Sequence, residues 1–109
     1  MPLIDLKETK GIEVFPGYTA RFIHTDNMTF AYWFVKEGAT VPEHSHINEQ
    51  FVSVIEGIFE LVVDGVPHEL ERGKVFVIPP NVKHSGRAVT ACRLLDVFYP
   101  VREDYKSLS

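Results

Sequence analysis

Four side chains of this 109-residue chain have the types and spacing of a metal-binding set. His44 and His46 are one residue apart, and because strand side chains alternate faces, the pair points to one side of an extended segment. Gln50 lies four residues further on, an even offset that keeps it on that face if the strand runs unbroken. His84 supplies a third imidazole after the breaker run Pro79-Pro80-Asn81. Three imidazoles and an amide oxygen can close on one divalent metal and leave coordination positions open for a ligand. Such donors fit nickel, zinc, iron or manganese, and ligand type does not choose among them; the expected ion is nickel or zinc, ahead of iron or manganese.

The elements that must position these residues read as short strands parted by turns. Residues 12–15 alternate before Pro16-Gly17, 18–24 form a second strand, and Asp26-Asn27 turns again. Thr29 to Val35 is rich in aromatic and β-branched residues, and Phe51–Ile55 and Ile58–Val63 are parted by Glu56-Gly57. Asp64-Gly65 is the strongest two-residue hairpin signal, with 66–71 returning. Residues 75–78 are a short strand ended by Pro79-Pro80, and Arg93 to Tyr99 is the last strand before a tail. Helical periodicity is absent, except for brief stretches near Leu3–Glu8 or in the tail. Many short strands at this spacing predict an all-β sandwich or barrel of one domain, residues 1–109.

Composition narrows the setting. Apolar residues are 45% and charged residues 24%, the balance of an ordinary globular protein, and a net charge of -4 with no Lys/Arg run argues against nucleic acid as a partner. The N-terminus lacks the basic and long apolar segments of a signal peptide, and no apolar run approaches the roughly 20 residues needed to span a bilayer. The single cysteine, Cys92, has no internal disulfide partner and reads as a buried thiol, which suits a reducing compartment. The expectation is a cytoplasmic protein that meets no membrane. The aromatic strands suggest a homodimer.

Gly38, five residues, His44-x-His46, three residues, Gln50, six residues, Gly57: this stretch resembles the first motif of the cupins. Gly73, five residues, Pro79, Asn81 and His84 resembles the second. Asn81 stands where that family usually has glycine, which asparagine's tolerance of positive φ allows. Ala88 replaces the usual terminal asparagine. The resemblance implies a cupin fold, a jelly-roll barrel also described as a double-stranded β-helix. Most cupins use glutamate as the fourth ligand, and this chain offers Glu49 and Gln50. Parity with His46 and the six-residue gap to Gly57 favour Gln50, and Glu49 is expected to face away. A neutral glutamine leaves the site one charge more cationic, favouring an anionic or alkoxide ligand.

The segment from Leu94 to Tyr105, taken with His44-x-His46 and Glu49-Gln50, is similar to the KdgF family of small cupins from pectin and alginate breakdown. That resemblance implies metal-dependent linearisation of 4,5-unsaturated uronate monosaccharides to 4-deoxy-5-keto-uronates. It also implies Asp96, Phe98 and Arg102 as functional residues beside the four ligands. Leu94, Asp96 and Phe98 share one strand face, so a carboxylate and an aromatic wall meet inside a barrel. Asp96, flanked by apolar residues, is expected to have a raised pKa suited to moving a proton. Arg102 is expected to offer a planar fork to the substrate carboxylate and Phe98 to stack on the sugar ring.

Blander readings stand beside these. Asp96 can be a buried, hydrogen-bonded carboxyl, Phe98 ordinary core, and Arg102 the surface partner of Glu103 or Asp104. His68, beside Pro67 after a hairpin, reads as an exposed strand residue, and His24 as structural. One of Tyr32 and Trp33 faces the interior, and the sequence does not say which. Two further functions remain open at this point: a metal-dependent cupin dioxygenase, and a cupin that binds a sugar without turning it over.

Overall fold

The computed structural model describes residues 2–108. Ten antiparallel strands form two facing sheets, the jelly-roll barrel expected of the chain. The strands are β1 (Ile12–Phe15), β2 (Tyr18–His24), β3 (Thr29–Val35), β4 (Thr40–His44), β5 (Glu49–Glu56), β6 (Ile58–Val63), β7 (Val66–Glu71), β8 (Val75–Ile78), β9 (His84–Ala88) and β10 (Cys92–Tyr99). One sheet has the order β1-β2-β3-β10-β5-β8 and the other β4-β9-β6-β7. A 3₁₀ turn at Leu6–Glu8, capped by the Asp5 side chain, precedes them, and a single helical turn, α1 (Glu103–Lys106), follows. Among the described residues no helix is long and apolar enough to cross a membrane.

Alternation sets the register. Along β10, Cys92, Leu94, Asp96 and Phe98 are buried and the residues between them are not; a one-residue slip would put Asp96 on the outside and Leu95 in the core. Trp33, Val35, Val52, Val54, Phe59, Leu61 and Ile78 fill the space between the sheets. Asp64 and Gly65 both have positive φ, as a tight hairpin between β6 and β7 requires. Gly86 on β9 has a different reason: a Cβ there would lie 2.4 Å from the Phe59 ring, so only glycine lets that ring cross the strand.

Two elements depart from the expectation. The histidine pair does not lie on one unbroken strand. β4 ends at His44, residues 45–48 turn a corner between the two sheets, and β5 begins at Glu49. His44, His46 and Gln50 therefore converge because the chain crosses from sheet to sheet, not because they share strand parity. β9 is not legible as a strand from its residues, since Ser85-Gly86-Arg87 has little β propensity. It is held by pairing on both sides, with β4 and with β6. The second crossing, residues 79–83, sits beside the first: the Asn81 amide donates to the His46 carbonyl at 2.8 Å, and Asn81 takes φ 65° to do so.

Candidate metal centre and cavity

The two corners and their flanking strand ends bring the imidazoles together. His44 closes β4 and His84 opens β9, directly across from each other in register, while His46 occupies the first corner. One nitrogen from each of the three lies within 4.8 Å of one from both others. Each Nδ1 meets a backbone carbonyl: His44 on Pro42 at 2.8 Å, His46 on Asn48 at 3.0 Å, His84 on Val82 at 2.9 Å. A carbonyl only accepts, so all three Nδ1 atoms carry the proton, and a neutral ring keeps its lone pair on Nε2. Burial, with smaller effects from neighbouring positive groups, holds His46 below its ordinary pKa and takes His84 down to about 4, so both imidazoles are neutral.

Three converging imidazoles, two of them neutral, offer lone pairs to a cation. His84 Nε2 is buried without a partner. His46 Nε2 faces Gln50 Oε1 at 3.0 Å, two acceptors in contact. The Gln50 amide group favours the ionised form of Asp96, which directs its N–H side toward that carboxyl and its oxygen toward His46. The donor set fits a divalent metal. Gln50 is buried at the start of β5 and Glu49 is exposed, in keeping with the gap to Gly57.

The centre opens on a cavity between the sheets, lined by His44, Gln50, His84, Asp96, Phe98 and Arg102 together. Asp96 is buried on β10, flanked in register by Val52 and Ala31. Burial pushes its pKa up to about 7, against the opposing pull of Gln50, Trp33 and Arg102. Its Oδ1 has no hydrogen-bond partner, and neither does Trp33 Nε1. The reading of Asp96 as a carboxyl quieted by backbone hydrogen bonds therefore finds no bond at that oxygen.

Arg102 departs from the expectation. Its Nε and Nη2 are both taken by Asp104, at 2.9 and 2.6 Å, so the planar fork does not face the cavity. The guanidinium is nevertheless buried, with its carbon 4.0 Å from the Tyr105 ring centre and 4.8 Å from that of Phe98, and Nη1 is left buried and unpartnered. Phe98 is 2% exposed. One face of it is occupied by Arg102, and His46 meets it edge-on at 5.6 Å. It is a wall of the cavity packed on two site residues, not an open stacking platform.

The structure adds residues that sequence reasoning missed. Of the pair left open, Trp33 faces inward and lines the cavity; Tyr32 faces out. Tyr18 and Tyr105 also line it, and burial raises the Tyr105 phenol to about 12. Tyr105 follows Arg102 by three residues, one helical turn, which is the available signal. Asn48 has none: its backbone carbonyl holds His46 while its buried side chain donates to the Pro100 carbonyl at 2.5 Å, tying the first corner to the segment that carries Arg102. His24 meets Thr29 Oγ1, which also receives the Arg102 backbone N–H, so His24 supports the site from outside the cavity. His68 packs on Phe76.

Residues 31–98, more than half of the chain, match the Cupin domain family. The chain belongs to the cupins. Among solved structures, this cupin is similar to KdgF from Halomonas sp., with a TM-score of 0.90, 26% identity and coverage of 96% of this chain and 98% of that one. It is also similar to an RmlC-like cupin from Shewanella frigidimarina, with a TM-score of 0.86, 30% identity and coverage of 91% and 90%. Salicylate 1,2-dioxygenase from Pseudoaminobacter salicylatoxidans shares the fold at 22% identity and a TM-score of 0.75, over 79% of this chain and 28% of that one. In sequence, protein SchB of Streptomyces halstedii is 43% identical over 54 residues, 49% of this cupin and 39% of SchB, so the match spans about two fifths of that relative.

Proposed function

We propose that this cupin opens the ring of 4,5-unsaturated uronate monosaccharides to give 4-deoxy-5-keto-uronates. One observation carries the reading: a buried carboxyl with an unpartnered oxygen, Asp96, shares a cavity with three converging imidazoles and a buried guanidinium. The overall likeness to KdgF from Halomonas sp. supports it.

The substrate class is a cyclic enol ether with a free hydroxyl at C1. Opening removes the O1 proton and breaks the C1–O5 bond, leaving an aldehyde at C1 and an enolate across O5, C5 and C4. A proton then reaches C4 and the C5 ketone remains. The formula is unchanged and no electrons are exchanged. Asp96 takes the O1 proton as a carboxylate and returns it at C4 as an acid, and a pKa of about 7 suits both halves of that transfer. Arg102 presents Nη1 and its charge to the substrate carboxylate, with Asp104, Phe98 and Tyr105 fixing the guanidinium plane. His44, His46, Gln50 and His84 are the residues that would hold a divalent metal, nickel or zinc before iron or manganese, which when bound supplies Lewis-acid polarisation of a sugar oxygen.

The test follows the ultraviolet absorbance of the conjugated double bond of unsaturated galacturonate against its spontaneous loss. Acceleration that disappears with a chelator and in Asp96→Ala supports the reading. No acceleration by metal-replete protein overturns it, and oxygen uptake in its place would identify a dioxygenase.

A further inference from the structure

Five buried side-chain atoms lack a hydrogen-bond partner among the described residues, and the proposed function uses three of them: His84 Nε2, Asp96 Oδ1 and Arg102 Nη1. His24 Nε2 belongs to a ring that supports the site from outside the cavity. Trp33 Nε1 is the one left without a use. An indole N–H removed from water ordinarily finds an acceptor, since leaving it without one costs free energy. Trp33 is 5% exposed and lines the cavity. In register it stands opposite Leu94, and Asp96 stands opposite Ala31. Trp33 and Asp96 are therefore diagonal neighbours on one inward face, a separation that an aromatic side chain can span. The indole N–H favours the ionised form of the Asp96 carboxyl, which sets it on that side of the cavity, yet it makes no hydrogen bond there. Three rings fix the indole: Tyr18 and Phe22 meet it edge to face at 5.8 Å, and Tyr105 at 6.1 Å. The donor is held in place before any ligand arrives.

We propose that Trp33 Nε1 and Asp96 Oδ1 form a two-point subsite for one hydroxyl, the C1 hydroxyl of the uronate, with Trp33 donating to O1 and O1 donating to Asp96. That the hydroxyl is O1 rests on the ring-opening reading of Asp96; that it is a hydroxyl rests on the cavity alone. An indole N–H only donates and a carboxylate only accepts, so one group satisfies both only if it accepts and donates at the same atom. A hydroxyl does so. An ether or carbonyl oxygen would leave Asp96 bare, and an ammonium group would leave Trp33 bare. Because the indole offers no acceptor, its bond holds the hydroxyl with the proton turned toward Asp96. As that proton passes to Asp96, charge builds on O1 and the indole bond strengthens. The electron pair left on O1 then forms the aldehyde carbonyl while the C1–O5 pair departs into the enolate. Trp33 thus favours the transition state over the bound substrate.

The chain holds one tryptophan, which permits a change confined to the N–H. Biosynthetic replacement of that tryptophan by benzothienylalanine puts sulfur where the N–H stood and keeps the bicyclic shape. With far-ultraviolet circular dichroism and bound metal unchanged, kcat for unsaturated galacturonate should fall about 10- to 100-fold, the worth of one hydrogen bond to a charged group, and KM should move little. An unchanged kcat overturns the proposal and leaves the ring-opening reading standing. The same tryptophan gives a single indole N–H resonance in proton–nitrogen magnetic resonance of the zinc-loaded wild-type protein. Galacturonate, a stable uronate, should shift it, and its 1-deoxy counterpart, which keeps the carboxylate and lacks only O1, should not. Equal shifts with the two sugars, or none with either, overturn the placement of O1 on Trp33. If the wild-type protein does not accelerate ring opening, that reading falls, and a shift confined to galacturonate still establishes the hydroxyl subsite.

Discussion

The two faces of the six-stranded sheet reverse the usual division between inside and outside. On β5 and β10 the buried positions include Gln50 and Asp96, while the outward ones include Phe51, Ile55 and Val97. A sheet built for stability alone would exchange them, since a buried carboxyl with an unpartnered oxygen and a broad exposed apolar face each cost free energy. The barrel's other interior positions show that the chain can fill a core with Val52, Val54, Phe59 and Leu61. Places where a fold departs from its own local rule are where function is to be sought. The inner departure points to chemistry.

The largest expected effect removes the inner site's organising group. His84→Ala, or treatment with a chelator, should reduce the absorbance assay to the spontaneous rate, and bound metal measured by plasma mass spectrometry should fall to background in the variant. Retained metal at full stoichiometry would break the assignment of His84 as a ligand.

Asp96→Asn separates chemistry from stability. Activity should fall by about 10²–10⁴-fold, the range for loss of a general acid–base group, with metal content unchanged. Stability should move the other way. The folded carboxyl has a pKa of about 7 against an ordinary 3.8, so the folded state holds its proton more tightly than the unfolded chain. Stability from this group is therefore full below the ordinary value of 3.8 and lost as pH rises toward about 7. In chelated protein, the D96N change should raise the midpoint of unfolding little at about pH 4 and most at about pH 7 to 8. Its ceiling is roughly 4 kcal/mol, the free energy that corresponds to moving the carboxyl from 3.8 to about 7. A variant less stable than wild type at about pH 8 would show that Asp96 is ionised and satisfied in the fold.

What the residues reveal in advance divides along the same line. Strands 18–24, 29–35, 58–63, 66–71 and 75–78 are legible because alternation and turn residues are local signals. The candidate ligands are legible because two short corners set their spacing. The geometry that joins them is not: the strand-parity argument puts His46 and Gln50 on one continuous strand, although residues 45–48 turn between sheets. Trp33 over Tyr32, Asn48 bridging to Pro100, and Thr29 receiving the Arg102 amide across 73 positions are consequences of sheet order. No residue-level periodicity encodes that order. The Arg102 fork is misplaced for a similar reason, because its claimant Asp104 comes within reach only when the tail turns into α1.

Two arginines repeat the comparison at smaller scale. Arg102 lies over Phe98 and Tyr105 and pairs with Asp104, with side-chain exposures of 8% and 62%; Arg93 lies over Phe34 and pairs with Glu56, at 58% and 71%. Removing the acid should have unequal consequences. Asp104→Ala strands a buried guanidinium and should cost about 1–3 kcal/mol by urea unfolding, and it should raise KM more than it lowers kcat by loosening the group that meets the substrate carboxylate. Glu56→Ala frees an arginine that water already reaches. It should change stability by less than about 1 kcal/mol, the usual worth of an exposed pair. If the two variants cost the same, burial does not distinguish the two arginines, and the division between an inner face built for chemistry and an outer face open to water fails at this pair.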